Sequence, residues 1–162
     1  MLAIRPLRPQ DIPALLAMIQ ELAEFEHLPV TATAKDLQRD AFGPQPGFRA
    51  LLAEWDNQPA GYALFYEFYS TFRAQRGLFL EDLFVRSHLR GKGIGRALLV
   101  QVAATAVAEN YFSLRWEVLD WNTPAIKFYG GLDAVFMDEW RLTALEGDAL
   151  RKVASAAQPL KE

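Results

Sequence analysis

Along the chain, the spacing of apolar residues switches between a period of two and a period of three to four, and the switches predict the order of elements. "LAIRPL" reads as a short strand. In "PQDIPALLAMIQELAEFE", Leu15, Leu16, Ile19, Leu22 and Ala23 recur at helical spacing, with Asp11 as the expected N-cap and Pro13 in the first turn. "TATAKDLQRDAF" predicts a shorter helix, because Thr33 and Asp36 stand as in a capping box with Asp in place of Glu. "FRALLAEW" and "AGYALFYEFYS", joined by the turn-like "DNQP", predict a hairpin, and "GLFLEDLFVR" a further strand. A helix over "GRALLVQVAATAVAEN" follows, then a strand "YFSLRWEVL" and a short helix "TPAIKFYG". A closing strand pair is expected around "AVFMDEW" and "RLTAL", and the tail from about residue 150 to 162 reads as frayed.

Composition narrows what such a chain does. Its 162 residues suit a single domain over 1–162, and with 51% hydrophobic residues it can bury a sizeable core. No apolar run reaches the roughly 18 residues of a membrane span, and charges fall where a signal peptide would have its apolar region. A cytoplasmic protein with no membrane partner is expected. The absence of cysteine removes disulfides, thiolate metal sites and a cysteine nucleophile, and with only His27 and His88 no metal site is expected. A net charge of −3 argues against nucleic-acid binding and is compatible with a small cationic substrate.

One junction stands out. Between the apolar "LFLEDLFV" and the helical "RALLVQVAATAVA" lies "RGKGIG", Arg90 to Gly95. A strand running through a glycine turn into a helix exposes backbone N–H groups where the helix dipole favours an anion. Glycine lets a phosphate approach the backbone, and Arg90, Lys92 and Arg96 can add charge. The other reading of these residues is a tight turn with solvated basic side chains. A Walker loop is not spelled here, and the dinucleotide fingerprint fails because Gly91 and Gly93 are followed by Arg96 where it needs glycine. What does fit is Arg-x-x-Gly-x-Gly, read as Arg90, Gly93 and Gly95.

Three further features carry candidate chemistry. Glu81 and Asp82 sit side by side in an apolar strand, where regular alternation would send them to opposite faces, so at least one faces something other than water. The alternative is an edge strand with one carboxylate solvated and the other paired to an arginine. Tyr129 closes "NTPAIKFY"; from the residues alone it reads as core packing, and Asn122 as a helix cap. The aromatic run Tyr62, Phe65, Tyr66, Phe68, Tyr69 covers both faces of its strand and reads as core and dimer surface.

With its element order, its glycine loop and the ordered strings "IRP", "ELAEFE", "FG", "LEDLFV", "RGKGIG", "WNTPAIKFY" and "EWRL", the chain resembles the GCN5-related N-acetyltransferase (GNAT) superfamily. Within it, the spermidine/spermine and thialysine acetyltransferase group is most similar. The resemblance implies an α/β (α+β) fold with a mixed, largely antiparallel central sheet flanked by helices, and a homodimer. It implies acetyl-CoA as the donor, cradled by Arg90, Gly91, Lys92, Gly93, Ile94, Gly95 and Arg96, with Asn122 and Pro124 along the same channel. The strand before the loop is expected to splay from its neighbour, so that Leu83, Phe84 and Val85 offer free N–H groups. By resemblance, Glu81 is the base, directly or through water, and Tyr129 is the acid toward the coenzyme A sulfur. Phe25, Glu26, Glu81, Asp82, Asp138 and Trp140 match positions that hold the amine. The implied reaction is acetyl transfer to a primary amine of a small polyamine or lysine-like diamine by direct attack. The alternatives are a catalytically inactive coenzyme A-binding domain of the same fold and a small nucleotide-binding module. At one point the pattern departs: Gly130 and Gly131 stand where polyamine acetyltransferases carry a basic run.

Overall fold

The computed structural model describes residues 1–160. They fall into two compact units, one from Met1 to Glu117 and one beginning at Val118.

The first unit is built on five strands in the order β1 (Leu2–Pro6), β2 (Arg49–Trp55), β3 (Gln58–Ser70), β4 (Gln75–Val85) and β5 (Leu114–Trp116). All neighbours are antiparallel except β4 and β5, which run parallel. The mixed, largely antiparallel sheet expected from the sequence is present. Asp56 and Asn57 link β2 to β3 as a two-residue turn, both at positive φ, as the primed hairpin turns require. Helix α1 (Ile12–Glu26) and helix α2 (Ala34–Phe42) follow β1, and α3 (Ile94–Ala108) connects β4 to β5. Consecutive residues are buried in β2, from Ala50 to Ala53, and in β3, from Ala60 to Phe65, so both faces of the sheet are covered there. Ala50, Leu52, Tyr62, Leu64 and Phe84 pack with Leu15 and Met18 of α1 and Leu37 of α2.

Local details follow from the residues present. The capping box of α2 is formed: Asp36 N–H donates to Thr33 Oγ1 at 3.2 Å and Thr33 N–H to Asp36 Oδ2 at 3.1 Å. Asp11, expected to cap α1, makes no cap bond there. Its carboxylate instead receives Arg5 at 2.6 and 2.9 Å and the Arg8 N–H at 2.8 Å, while Arg5 also reaches Glu54 at 2.6 Å. The charged bond from Arg5 outweighs a cap to neutral N–H groups.

At Gly61 the backbones of β3 and β4 leave no room for a side chain. A methyl there would lie 2.4 Å from the Phe84 carbonyl oxygen and 3.2 Å from Val85 Cα, both backbone atoms with little freedom to yield. Gly61→Ala is expected to cost about 1–3 kcal/mol of unfolding free energy in denaturant titrations.

In the second unit, α4 (Thr123–Gly130) and α5 (Gly147–Ala154) are helical. The expected strand pair over "AVFMDEW" and "RLTAL" is not formed, and residues 134–146 carry no strand. The two halves meet at Trp140 and Arg141 with no turn residue between them, and a lone two-stranded hairpin is marginal in water. Helix α5 occupies part of the stretch expected to be frayed, and Lys161 and Glu162 lie outside the described residues. Among the described residues no helix is long and apolar enough to cross a membrane.

Candidate active site

The geometry turns on one irregularity. In the β3–β4 ladder Leu64 faces Asp82 and Phe65 faces Leu80, so Glu81 is an extra residue with no partner, a β-bulge. It overturns the expectation that Glu81 and Asp82 point to opposite faces. Tyr62 and Tyr66, four residues apart on β3, share a face. The Tyr62 hydroxyl donates to Asp82 Oδ2 at 2.9 Å, and the Tyr66 hydroxyl donates to Glu81 Oε2 at 3.1 Å. Both carboxylates therefore lie on one side of the sheet, each held by a tyrosine.

That side carries α1, and next to Asp82 is an open groove of about 260 Å³. Ile19, Leu22, Leu28 and Val30 supply apolar walls, and Glu26 joins Asp82 in the lining. Burial pushes the Asp82 carboxyl up to about 6, opposed by the Tyr62 hydrogen bond and aided by the charges of Glu81 and Glu26. Glu26 is raised by burial too. Burial and the Glu81 charge push the Tyr66 hydroxyl up to about 12, and Tyr62 is raised further still by its deeper burial. Both tyrosines stay protonated and can only donate to their carboxylates near neutral pH. Two anions in a groove with no cation in its lining suit a cationic ligand.

The bulge also marks where β4 leaves β5. Their ladder joins Leu78, Phe79 and Leu80 to Leu114, Arg115 and Trp116 and stops there. Among the described residues, Glu81 to Val85 have no strand partner on that edge, which matches the expected splay at Leu83, Phe84 and Val85. The Phe84 side chain is buried in the core, so only its backbone is offered to that edge.

The glycine loop follows at once. Gly91 and Gly93 hold φ of 76° and 78°, the left-handed region that glycine enters without strain. A methyl on either would meet nothing within 4 Å, so the space beside both glycines is open. Gly93 is the N-cap of α3 and supplies no side-chain cap, which leaves the first N–H groups of a 15-residue helix for an anion. These features fit the pyrophosphate of acetyl-CoA. Ile94 is buried, so it contributes backbone only, while Lys92 and Arg96 are exposed. Lys92 lies over the Trp55 ring at 4.9 Å, an exposed contact worth roughly 0.5–1 kcal/mol that a phosphate can outcompete.

Arg90, exposed in the loop, also reaches inward. Its Nε donates to the Val85 carbonyl at 3.0 Å, and its guanidinium lies 5.1 Å from the Phe25 ring and 6.0 Å from the Phe84 ring. It ties the loop back to β4 and α1. Phe25 is accordingly engaged with Arg90 and does not line the groove that holds Glu26 and Asp82.

Other expected residues belong to the second unit. Asn122 caps α4, its side chain accepting the Ala125 N–H at 3.3 Å, with Pro124 in the first turn. Tyr129 is buried on α4, its ring 5.2 Å from that of Phe128. Asp138 and Trp140 are exposed in the stretch without strands. Sequence reading missed Tyr62 and Tyr66 as part of the site. Their signal was the spacing of four on β3 facing an acidic pair on β4, but a bulge was needed to align them.

Comparison with known proteins agrees with this geometry. The chain is 37% identical over 164 aligned residues, 93% of its length and 96% of the relative's, to a mouse thialysine N-epsilon-acetyltransferase. It is 31% identical over 93% of its length to a human spermidine/spermine N(1)-acetyltransferase-like protein 1, of which the match spans 23%. A solved integron cassette protein from the mobile metagenome of V. cholerae superposes with a TM-score of 0.82 at 26% identity, covering 96% of this chain and 98% of that one. Residues 15–132 match the model of the acetyltransferase (GNAT) family. The five-stranded sheet, the splayed β4 and the open glycine turn at α3 thus belong to a member of the GNAT family of acetyltransferases.

Proposed function

We propose that this enzyme transfers an acetyl group from acetyl-CoA to a primary amine of a small, lysine-like diamine or polyamine by direct attack. The observation that carries the amine reading is the bulge at Glu81, which sets two tyrosine-held carboxylates on one face beside a groove shared with Glu26. The names of the relatives, thialysine and spermidine/spermine acetyltransferases, support the same substrate class.

Acetyl-CoA supplies an acetyl group activated as a thioester. Gly91 to Arg96 would hold its pyrophosphate through backbone N–H groups, and the free edge at Leu83 to Val85 would donate to the thioester carbonyl as negative charge develops there. Asp82 and Glu26 hold the cationic amine. A primary ammonium loses its proton only near pH 10.4 in water, so Glu81, exposed and oriented by Tyr66, takes that proton directly or through water. Tyr129 is the proposed proton donor to the departing thiolate, and Asn122 and Pro124 flank the donor's channel; these assignments rest on the "NTPAIKFY" motif. Asp138 and Trp140 are proposed contributors to amine binding on the same ground. A single N-acetyltransferase domain over 1–162, acting as a cytoplasmic homodimer, completes the proposal.

The test is coenzyme A release from acetyl-CoA with thialysine, lysine, ornithine, spermidine and spermine. Turnover selective for one of these amines is expected. Well-folded protein that binds acetyl-CoA but turns over none of them would overturn the amine reading in favour of an inactive coenzyme A-binding domain.

A further inference from the structure

Tyr62 is completely buried beneath the sheet face that carries α1, yet its hydroxyl is not spent on the core. It donates to Asp82 Oδ2 at 2.9 Å, while its ring packs 6.0 Å from that of Phe84. Asp82 in turn lines the groove that Glu26 enters from α1. The groups acting on Asp82 are thus Tyr62 from β3, Glu26 from α1 and the adjacent Glu81 on β4. Arg86 and Arg90, the nearest cations in sequence, are engaged elsewhere, Arg86 with Glu21 at 3.2 Å and Arg90 with the Val85 carbonyl. Asp82 therefore has anionic neighbours and one fixed donor. Burial and these neighbours favour the protonated form of Asp82, and the Tyr62 hydrogen bond opposes them.

We propose that Tyr62 is a positioning residue that holds Asp82 ionised and aimed into the groove, and so sets the acid limit for gripping the cationic amine. The inference rests on the amine reading above. The sign follows from the contact. A hydrogen bond from Tyr62 favours the charged carboxylate, so its removal makes Asp82 easier to protonate and moves the loss of amine binding to higher pH.

Two measurements test this on the intact protein. Carbon-13 NMR of the aspartate carboxyls is expected to find Asp82 titrating near about 6. In Tyr62→Phe, which keeps the ring, the midpoint is expected to rise by about one unit, the size of a hydrogen bond to a charged group. In steady-state kinetics, the amine KM of Tyr62→Phe is expected to exceed that of the native enzyme several-fold near pH 6 and to converge with it at alkaline pH. Asp82→Asn is expected to abolish this acid limb while raising KM at every pH. An unmoved Asp82 midpoint, or a KM raised by the same factor at all pH values, would overturn the inference and leave Tyr62 a packing residue. The two readings fail separately. Absence of turnover by the native enzyme sinks the amine reading and this inference with it, whereas turnover with an unshifted acid limb in Tyr62→Phe sinks this inference alone.

Discussion

Tyr129→Phe is expected to lower kcat by about 100-fold or more while leaving the KM for acetyl-CoA within about a factor of two, because a positioned general acid contributes roughly 10² to 10⁴ to rate. The substitution removes one hydroxyl and keeps the ring that packs 5.2 Å from Phe128, so the fold should tolerate it. The loss should appear in the chemical step and not in binding. Steady-state kinetics with saturating amine reads it directly. A kcat equal to that of the native enzyme removes Tyr129 as the acid.

The second large effect is on stability. Asp11→Asn is expected to cost about 3 kcal/mol of unfolding free energy, since removing one partner of a buried ion pair leaves the other charge uncompensated. Glu54 stays bonded to Arg5 and keeps the loss toward the lower end of the range. The pH dependence gives the assignment a signature. Hydrogen bonding from Arg5 holds the Asp11 carboxyl below its ordinary value. Its contribution is therefore fully present above about pH 3.9, the unfolded value, and is lost as pH falls through the lower folded value. Urea titrations of the native protein and Asp11→Asn should differ by a constant amount at neutral pH and converge in acid. A constant difference down to the lowest pH would show that the charge of Asp11 is not what Arg5 holds.

The sequence carried most of the first unit. Helical spacing in "ALLAMIQELAEFE" and the Thr33/Asp36 box predicted α1 and α2, and the turn residues at Asp56 and Asn57 predicted the β2–β3 hairpin. These signals are local, and local chemistry decided them. The glycine loop was equally readable, because positive φ at Gly91 and Gly93 needs glycine whatever surrounds it.

What escaped depended on pairing between distant strands. The run "LFLEDLFV" reads as regular alternation, and nothing in it marks Glu81 as a bulge; the register of β3 against β4 does. The same register stops β5 at three residues where nine were expected from "YFSLRWEVL", since the β4 edge turns away after Leu80. The aromatic run on β3 was legible as core at Tyr62 and Phe65, both fully buried. The roles of the Tyr62 and Tyr66 hydroxyls were not, because a hydrogen bond across strands has no signature in one strand alone. Arg90 shows the same limit: a basic residue in a glycine loop suggested a phosphate contact, while its bond to the Val85 carbonyl and its place over the Phe25 ring left no mark in the sequence.

Direct transfer to an amine nitrogen is the central claim, and isotope tracing tests it most directly. The enzyme is incubated with acetyl-CoA labelled with carbon-13 in the acetyl group and with the best amine of the panel, and both product and protein are weighed by mass spectrometry. Direct attack predicts one labelled acetyl group on the amine and none on the protein at any time during turnover. A labelled protein that passes its acetyl group on to the amine, or consumption of acetyl-CoA with no acetylated amine formed, would contradict it.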